Sequence, residues 1–313
     1  MADPPLDPRT TVGHVHLRVD DLAGSLRFYR DLLGFREAWS GEGTVMLSAD
    51  GRYPFALGLT ATTDDAPRPR RRCGLYHAAF LLPGRAALGR LLRRLLEHNV
   101  TLDGASDHLV SEALYLRDPE GNGLELYADR PREQWAWRDG RVEMASEPLD
   151  IAGLLAEGGE RSAPVSGGTR LGHVHLRVSD LGRAEAFYHQ ALGLDVTTRE
   201  YPGALFFSAG GYHHHLGTNV WAGQGIPPEA SEGPGLWYFT VRVPAPADLA
   251  GVRARLGAHG LAAGGETDYG PCLGFGVRDL DDILVLLTAD RSPLPDQPSW
   301  MPDRVPLGAV RAT

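Results

Sequence analysis

Apolar residues in this chain fall into short strand-like runs, each followed by a stretch of helical spacing. Residues 14–19 read as a strand. Behind them, Asp21 is a natural helix N-cap, and Leu22, Leu26, Tyr29 and Leu33 recur at the helical period until Gly34 stops it. The order repeats from Gly74: an apolar strand YHAAFLL, a helix carrying Leu88, Leu91, Leu92, Leu95 and Leu96, then strands ending in LELYAD. Farther on, the strand WYFTVRV precedes a helix over 248–259. The pattern predicts an α+β chain of four βαβββ modules, spanning 10–62, 74–130, 170–222 and 236–290.

The modules group in pairs because the sequence repeats itself. GHVHLRVDDLAGSLRFYRDLLGF begins at Gly13 and GHVHLRVSDLGRAEAFYHQALGL at Gly172, an offset of 172 − 13 = 159. VMLSADGRYPFALGL in the first copy answers LFFSAGGYHHHLGTN in the second. Two copies of one domain are therefore expected, at 10–130 and 170–290. The linker over 131–169 carries Trp135, Trp137, a short helical segment DIAGLLAE and the run SAPVSGG, and a Pro-rich tail over 291–313 is expected to lack regular structure.

Composition narrows the function. With 313 residues, 42% hydrophobic and 23% charged, each half can bury a normal core. The net charge of −9 argues against a nucleic-acid surface. No apolar run is long enough for a membrane span, and the start MADPPLDPRTT lacks a signal-peptide pattern. Two cysteines give no disulfide framework, so a cytoplasmic protein is expected. The basic cluster of Arg68, Arg70, Arg71 and Arg72 reads as a solvated loop in a Pro-rich stretch.

Laid over each other, the halves differ where chemistry would reside. His14 matches His173, but His77 faces Tyr238, His108 faces Tyr269, Tyr115 faces Gly276, and Glu125 faces Val285 or Leu286. A packing requirement would preserve both copies, so selective loss points to a site in the first half, built from His14, His77 and Glu125. Two imidazoles and a carboxylate that leave positions open are the usual protein share of a non-haem iron(II) centre. Glu125 sits between apolar Leu124 and Leu126 on a strand, where an unpaired carboxylate would be costly. Plainer readings exist for each residue. His14 alone could be a satisfied strand histidine, His108 a solvated loop residue, and Tyr115 a packed aromatic. His16 and His175 are read as facing away from the site in structural roles. Gly121, Asn122 and Gly123 read as a tight turn. The run His213, His214 and His215 could join His173 in a second metal site, but Tyr238 and Val285 supply no further ligand, which favours a structural or pocket-lining role.

The opening H-V-H-L-R-V-x-D-L with F-Y-x-x-x-L-G resembles the vicinal-oxygen-chelate superfamily of glyoxalases, bleomycin-resistance proteins and type I extradiol dioxygenases. The stretch with His108, Leu114, Tyr115, Asp118, Pro119, Gly121 and Glu125 is similar to the extradiol ring-cleavage signature, departing only at Ser106. The likeness extends over 10–290 and is nearest to catechol 2,3-dioxygenase-like proteins. It implies two tandem vicinal-oxygen-chelate domains with open mixed-sheet barrels. It also implies that His14, His77 and Glu125 bind iron(II), with manganese(II) as the alternative, and that His108 and Tyr115 bind the substrate oxygens. The implied reaction is extradiol cleavage of a catechol-type aromatic by O2; no nucleic acid or membrane partner is implied, and a homo-oligomer is left open. Such enzymes use a further acid–base histidine before the second ligand, and residues 54–76 contain none. One alternative is a glyoxalase-like isomerase or lyase. It would draw a fourth ligand from the first module's last strand, where PFALGL offers nothing. Another is a non-catalytic, resistance-type binding protein, which would hold no metal.

Overall fold

The computed structural model describes residues 5–62, 71–138, 141–228 and 233–291. The Pro-rich tail beyond Arg291, with Arg68 and Arg70 of the basic cluster, lies outside them. The four expected modules are present. The first holds β1 (Thr11–Val19), α1 (Leu22–Leu26), β2 (Arg36–Gly41), β3 (Thr44–Ser48) and β4 (Leu57–Ala61). The second holds β5 (Gly74–Leu81), α2 (Arg85–Glu97), β6 (Gly104–Asp107), β7 (Ser111–Arg117) and β8 (Gly123–Asp129). Between the repeats come three two-residue strands, β9 (Trp137–Arg138), β10 (Arg141–Val142) and β11 (Glu147–Pro148), and the helix α3 (Ile151–Gly158). The third module holds β12 (Arg170–Arg177), α4 (Leu181–Glu185), β13 (Asp195–Thr198), β14 (Ala204–Ser208) and β15 (Leu216–Asn219). The fourth holds β16 (Gly235–Val243), α5 (Pro246–Ala258), β17 (Thr267–Asp268), β18 (Cys272–Arg278) and β19 (Leu284–Asp290).

Helix α1 starts where the sequence places its cap, and α4 starts in the same way. Asp21 accepts from the Gly24 amide at 2.8 Å and Asp180 from the Arg183 amide at 2.9 Å. Both then widen into a π-helical turn, in which Leu33 donates to the Phe28 carbonyl and Leu192 to that of Phe187, each five residues back. The wide turns seat Tyr29 and Tyr188, whose hydroxyls donate to Asp118 at 2.9 Å and Asp279 at 2.6 Å in the following module.

Sheet pairing does not follow the repeats. One eight-stranded sheet runs β17-β18-β19-β16-β1-β4-β3-β2, and one nine-stranded sheet runs β11-β6-β7-β8-β5-β12-β15-β14-β13. The first module thus pairs with the fourth through antiparallel β1 and β16, and the second with the third through antiparallel β5 and β12. Each sheet draws one module from each repeat. The described residues between the repeats do more than connect: β11 extends the β6 edge, and α3 packs on α2. That helix contact is close enough that a Cβ on Gly89 would lie 2.2 Å from the Leu154 carbonyl oxygen.

Strand alternation sorts side chains onto two faces. Val174 and Leu176 of β12, Ala78 and Phe80 of β5, Leu124 and Leu126 of β8, and Leu114 and Leu116 of β7 enter a continuous core with the helices. The intervening residues, among them His77, Tyr115, Glu125 and His173, occupy the opposite face. Among the described residues, no helix is long and apolar enough to cross a membrane.

Candidate metal centre

Three buried donors converge on the concave face of the nine-stranded sheet. Glu125 on β8 and His173 on β12 both lie across from Ala79 of the intervening β5, one on each side. His77 is two residues before Ala79 and so shares its face. The alanine side chain is short enough to leave space between its neighbours. His77 Nε2 lies 3.0 Å from Glu125 Oε2, His173 Nε2 lies 3.1 Å from the same oxygen, and the two nitrogens are 3.3 Å apart. The three residues are 6%, 3% and 1% exposed for His77, Glu125 and His173.

This triangle fits a single divalent ion. In an octahedral site with bonds of about 2.1 Å, neighbouring ligand atoms lie about 3.0 Å apart. The donor set of two imidazoles and one carboxylate has the composition of a facial triad, which leaves positions open to small molecules. Burial by itself would raise the Glu125 carboxyl, but the adjacent His173 and His77 hold it well below the ordinary range. Burial lowers His77, against the opposing pull of Glu125. An ionised carboxylate beside a neutral imidazole is the protonation state that metal ligation requires. The His173 ring is held by packing, 4.1 Å from the His214 ring and 5.0 Å from that of Tyr127. The residue before it must be glycine, since a Cβ on Gly172 would lie 1.9 Å from the Tyr127 hydroxyl oxygen.

The expected trio of His14, His77 and Glu125 is not brought together. His14 belongs to the eight-stranded sheet, where its ring lies 5.5 Å from Tyr238 and 6.2 Å from Phe55. Among the described residues, the group able to hold a metal is His77, Glu125 and His173. The reason is the pairing of β5 with β12: the histidine that reaches His77 comes from the other repeat. The centre therefore spans both repeats. Register also assigns the counterpart of Glu125, because Ala79 pairs with Glu125 as Thr240 pairs with Leu286.

His108 and Tyr115 do meet beside the donors. Tyr115 lies directly across from Glu125 on β7, and its hydroxyl is 2.7 Å from His108 Nε2. The other ring nitrogen, Nδ1, lies 2.7 Å from the Ala145 carbonyl, so it carries the proton and Nε2 accepts from Tyr115. Burial first, and then the Glu125 charge, push the Tyr115 hydroxyl well above its usual range. Asp118, by contrast, is a turn residue. Its carboxylate accepts from the amides of Glu120 and Asn122, the Asn122 side chain and Tyr29.

A cavity of about 390 Å³ opens in front of these groups, walled by Tyr76, Phe206 and Trp221. One of its histidines departs from the sequence expectation, and another lines the cavity as expected. His175 lines it, its ring 5.0 Å from that of His77, because residues two apart on a strand share a face. His214 lines it from the segment before β15. Its neighbours turn elsewhere: His213 lies 2.9 Å from Asp129, and His215 accepts from the Ala209 amide at 3.2 Å. Residues 54–76, which carry no histidine, include the last strand of the first module, whose β1 lies in the other sheet. Once β5 is paired with β12, the tract at 213–215 occupies the equivalent place.

Comparison with known proteins agrees with this architecture. The family model described as the Glyoxalase/Bleomycin resistance protein/Dioxygenase superfamily matches twice, over residues 11–126 and 170–286. The Catechol-2,3-dioxygenase of Bacillus subtilis (strain 168) is 46% identical over 240 residues, covering 75% of this chain and 83% of that protein. The Biphenyl-2,3-diol 1,2-dioxygenase 2 of Rhodococcus globerulus is 27% identical over 145 residues, covering 44% and 74%. Among solved structures, a candidate dioxygenase from Bacillus subtilis superimposes with a TM-score of 0.64 at 13% identity, covering 92% of this chain and 86% of that one. Glyoxalase I from Zea mays gives 0.54 at 16%, covering 90% and 92%. At these identities the structural matches speak to the fold alone.

Proposed function

Because the chain belongs to the glyoxalase/bleomycin resistance protein/dioxygenase superfamily, on its catechol 2,3-dioxygenase-like branch, we propose that it is an extradiol dioxygenase that cleaves a catechol-type aromatic with O2. The observation that carries this reading is the His77, Glu125 and His173 triangle at the base of an aromatic-walled cavity. These residues would hold iron(II), with manganese(II) as the alternative. When bound, such an ion supplies Lewis acidity toward two vicinal oxygens and an electron path between diol and dioxygen. The donor group has three members among the described residues, which favours this reading over an isomerase that needs a fourth protein ligand.

The chain's own residues bind, orient and move protons. Tyr76, Phe206 and Trp221 present ring edges and faces to a flat substrate and exclude water from one side of it. Tyr115 donates to His108, and a substrate oxygen can take over that hydrogen bond, leaving the His108 Nε2 lone pair to accept a proton from the diol. On the His173 side of the cavity, His214 provides a second imidazole for proton transfer. The test is anaerobic loading with iron(II), followed by exposure to a panel of catechols in air. A yellow ring-fission product absent from Glu125→Ala is the expected result. Metal-loaded protein that leaves every catechol intact would overturn the reaction assignment, while metal-free protein after loading would overturn the centre itself.

A further inference from the structure

The eight-stranded sheet carries its own cavity, of about 300 Å³, at the place that corresponds to the metal centre. The correspondence is residue by residue: β1 and β16 stand as β12 and β5 do, so His14 answers His173, Tyr238 answers His77 and Leu286 answers Glu125. With tyrosine and leucine in place of histidine and carboxylate, this cavity has one metal-competent side chain at the base where the other has three. It has nevertheless stayed open. Trp39, Tyr53, Phe55, Trp237 and Tyr238 line it with aromatic surface.

From these walls we infer that this cavity is a second, metal-independent binding site, and that its ligand is an uncharged hydroxylated aromatic ring. Charge disfavours anions. Arg242, the cation in its lining, is paired with Asp290, which also accepts from the Tyr53 hydroxyl at 2.5 Å. Two polar side chains stand at its base, His14 and Tyr238. Burial lowers the His14 pKa to about 4, so the ring is neutral. A ligand hydroxyl both donates and accepts and can pair with either group, whereas a plain hydrocarbon can pair with neither. The site needs no metal, so it stands or falls apart from the dioxygenase reading.

The probe is 4-bromophenol, whose single hydroxyl cannot chelate a metal as a vicinal diol does. Calorimetric titration of the full chain in chelator-treated buffer should show saturable binding, weakened at least tenfold in Leu286→Trp, whose indole fills the cavity. Metal retention at His77, Glu125 and His173 should be unchanged in that variant. No binding by the unaltered chain, or equal binding by Leu286→Trp, overturns the inference. Should Leu286→Trp fail to fold, crystals of the unaltered chain soaked in 4-bromophenol decide it through the anomalous signal of bromine. A peak between Trp39 and Trp237 supports the site, and bromine elsewhere or nowhere overturns it.

Discussion

Two histidines head the same repeated motif, yet only one stands beside His77. His14 and His173 each follow a glycine and precede Val-His-Leu-Arg-Val, so local sequence assigns them equal chemistry. Only His173 lies within 3.3 Å of His77 Nε2. His173→Ala should therefore lose its metal as completely as His77→Ala and Glu125→Ala, while His14→Ala keeps it, as read by metal per chain after gel filtration. Retention in His173→Ala would remove it from the donor set. His214 makes a different prediction because it lines the cavity outside the triangle. A proton-transfer group is worth roughly 10²–10⁴-fold in rate. His214→Asn should lower kcat by about 100-fold or more with its metal content intact. Loss of metal together with rate would instead make it a support for the His173 ring.

At the scale of elements, the helices and their anchoring turns fix how the modules stack. On α2, Leu88, Leu91, Leu92 and Leu95 are all fully buried. Leu91→Ala should cost roughly 2–5 kcal/mol in denaturant unfolding. Leu96, half exposed at the margin of that face, should cost far less, although the sequence pattern grouped it with the others. The turn behind β18 gives a pH dependence. Burial, outweighing the bonds from Tyr188 and from the Ile283 and Asp281 amides, raises the Asp279 carboxyl to about 6. Between 3.8 and about 6 the folded protein keeps a proton that the unfolded chain has released. This group's contribution to stability is therefore full below that window and falls as pH rises through it. Asp279→Asn removes the titration, so across the window it should gain roughly 2–3 kcal/mol relative to the unaltered chain. A pH-independent difference between the two would contradict the raised pKa.

The whole molecule is built on exchange. Neither repeat closes a sheet alone, because β1 finds its antiparallel partner in β16 and β5 finds its own in β12. A fragment of residues 5–165 carries His77 and Glu125 but not His173. As a monomer it should hold no metal tightly, and adding a fragment of residues 166–291 should restore binding. Tight retention by the first fragment alone, at one ion per monomer, would show that the site does not need the second repeat.

The sequence by itself determined the modules, their strand and helix order, the cap at Asp21, and the superfamily. All of these rest on periodicity and short-range motifs, which neighbouring residues encode. It also singled out His77, Glu125, His108 and Tyr115, since their loss from the second repeat is visible by alignment of the chain on itself. Tertiary structure alone decided that β5 pairs with β12. Strand pairing is a long-range choice made through shared core and backbone edges, and two near-identical strands, β1 and β12, presented the same local pattern. That choice replaced His14 with His173, brought His175 and His214 to the cavity, and left the eight-stranded sheet with an aromatic pocket of its own.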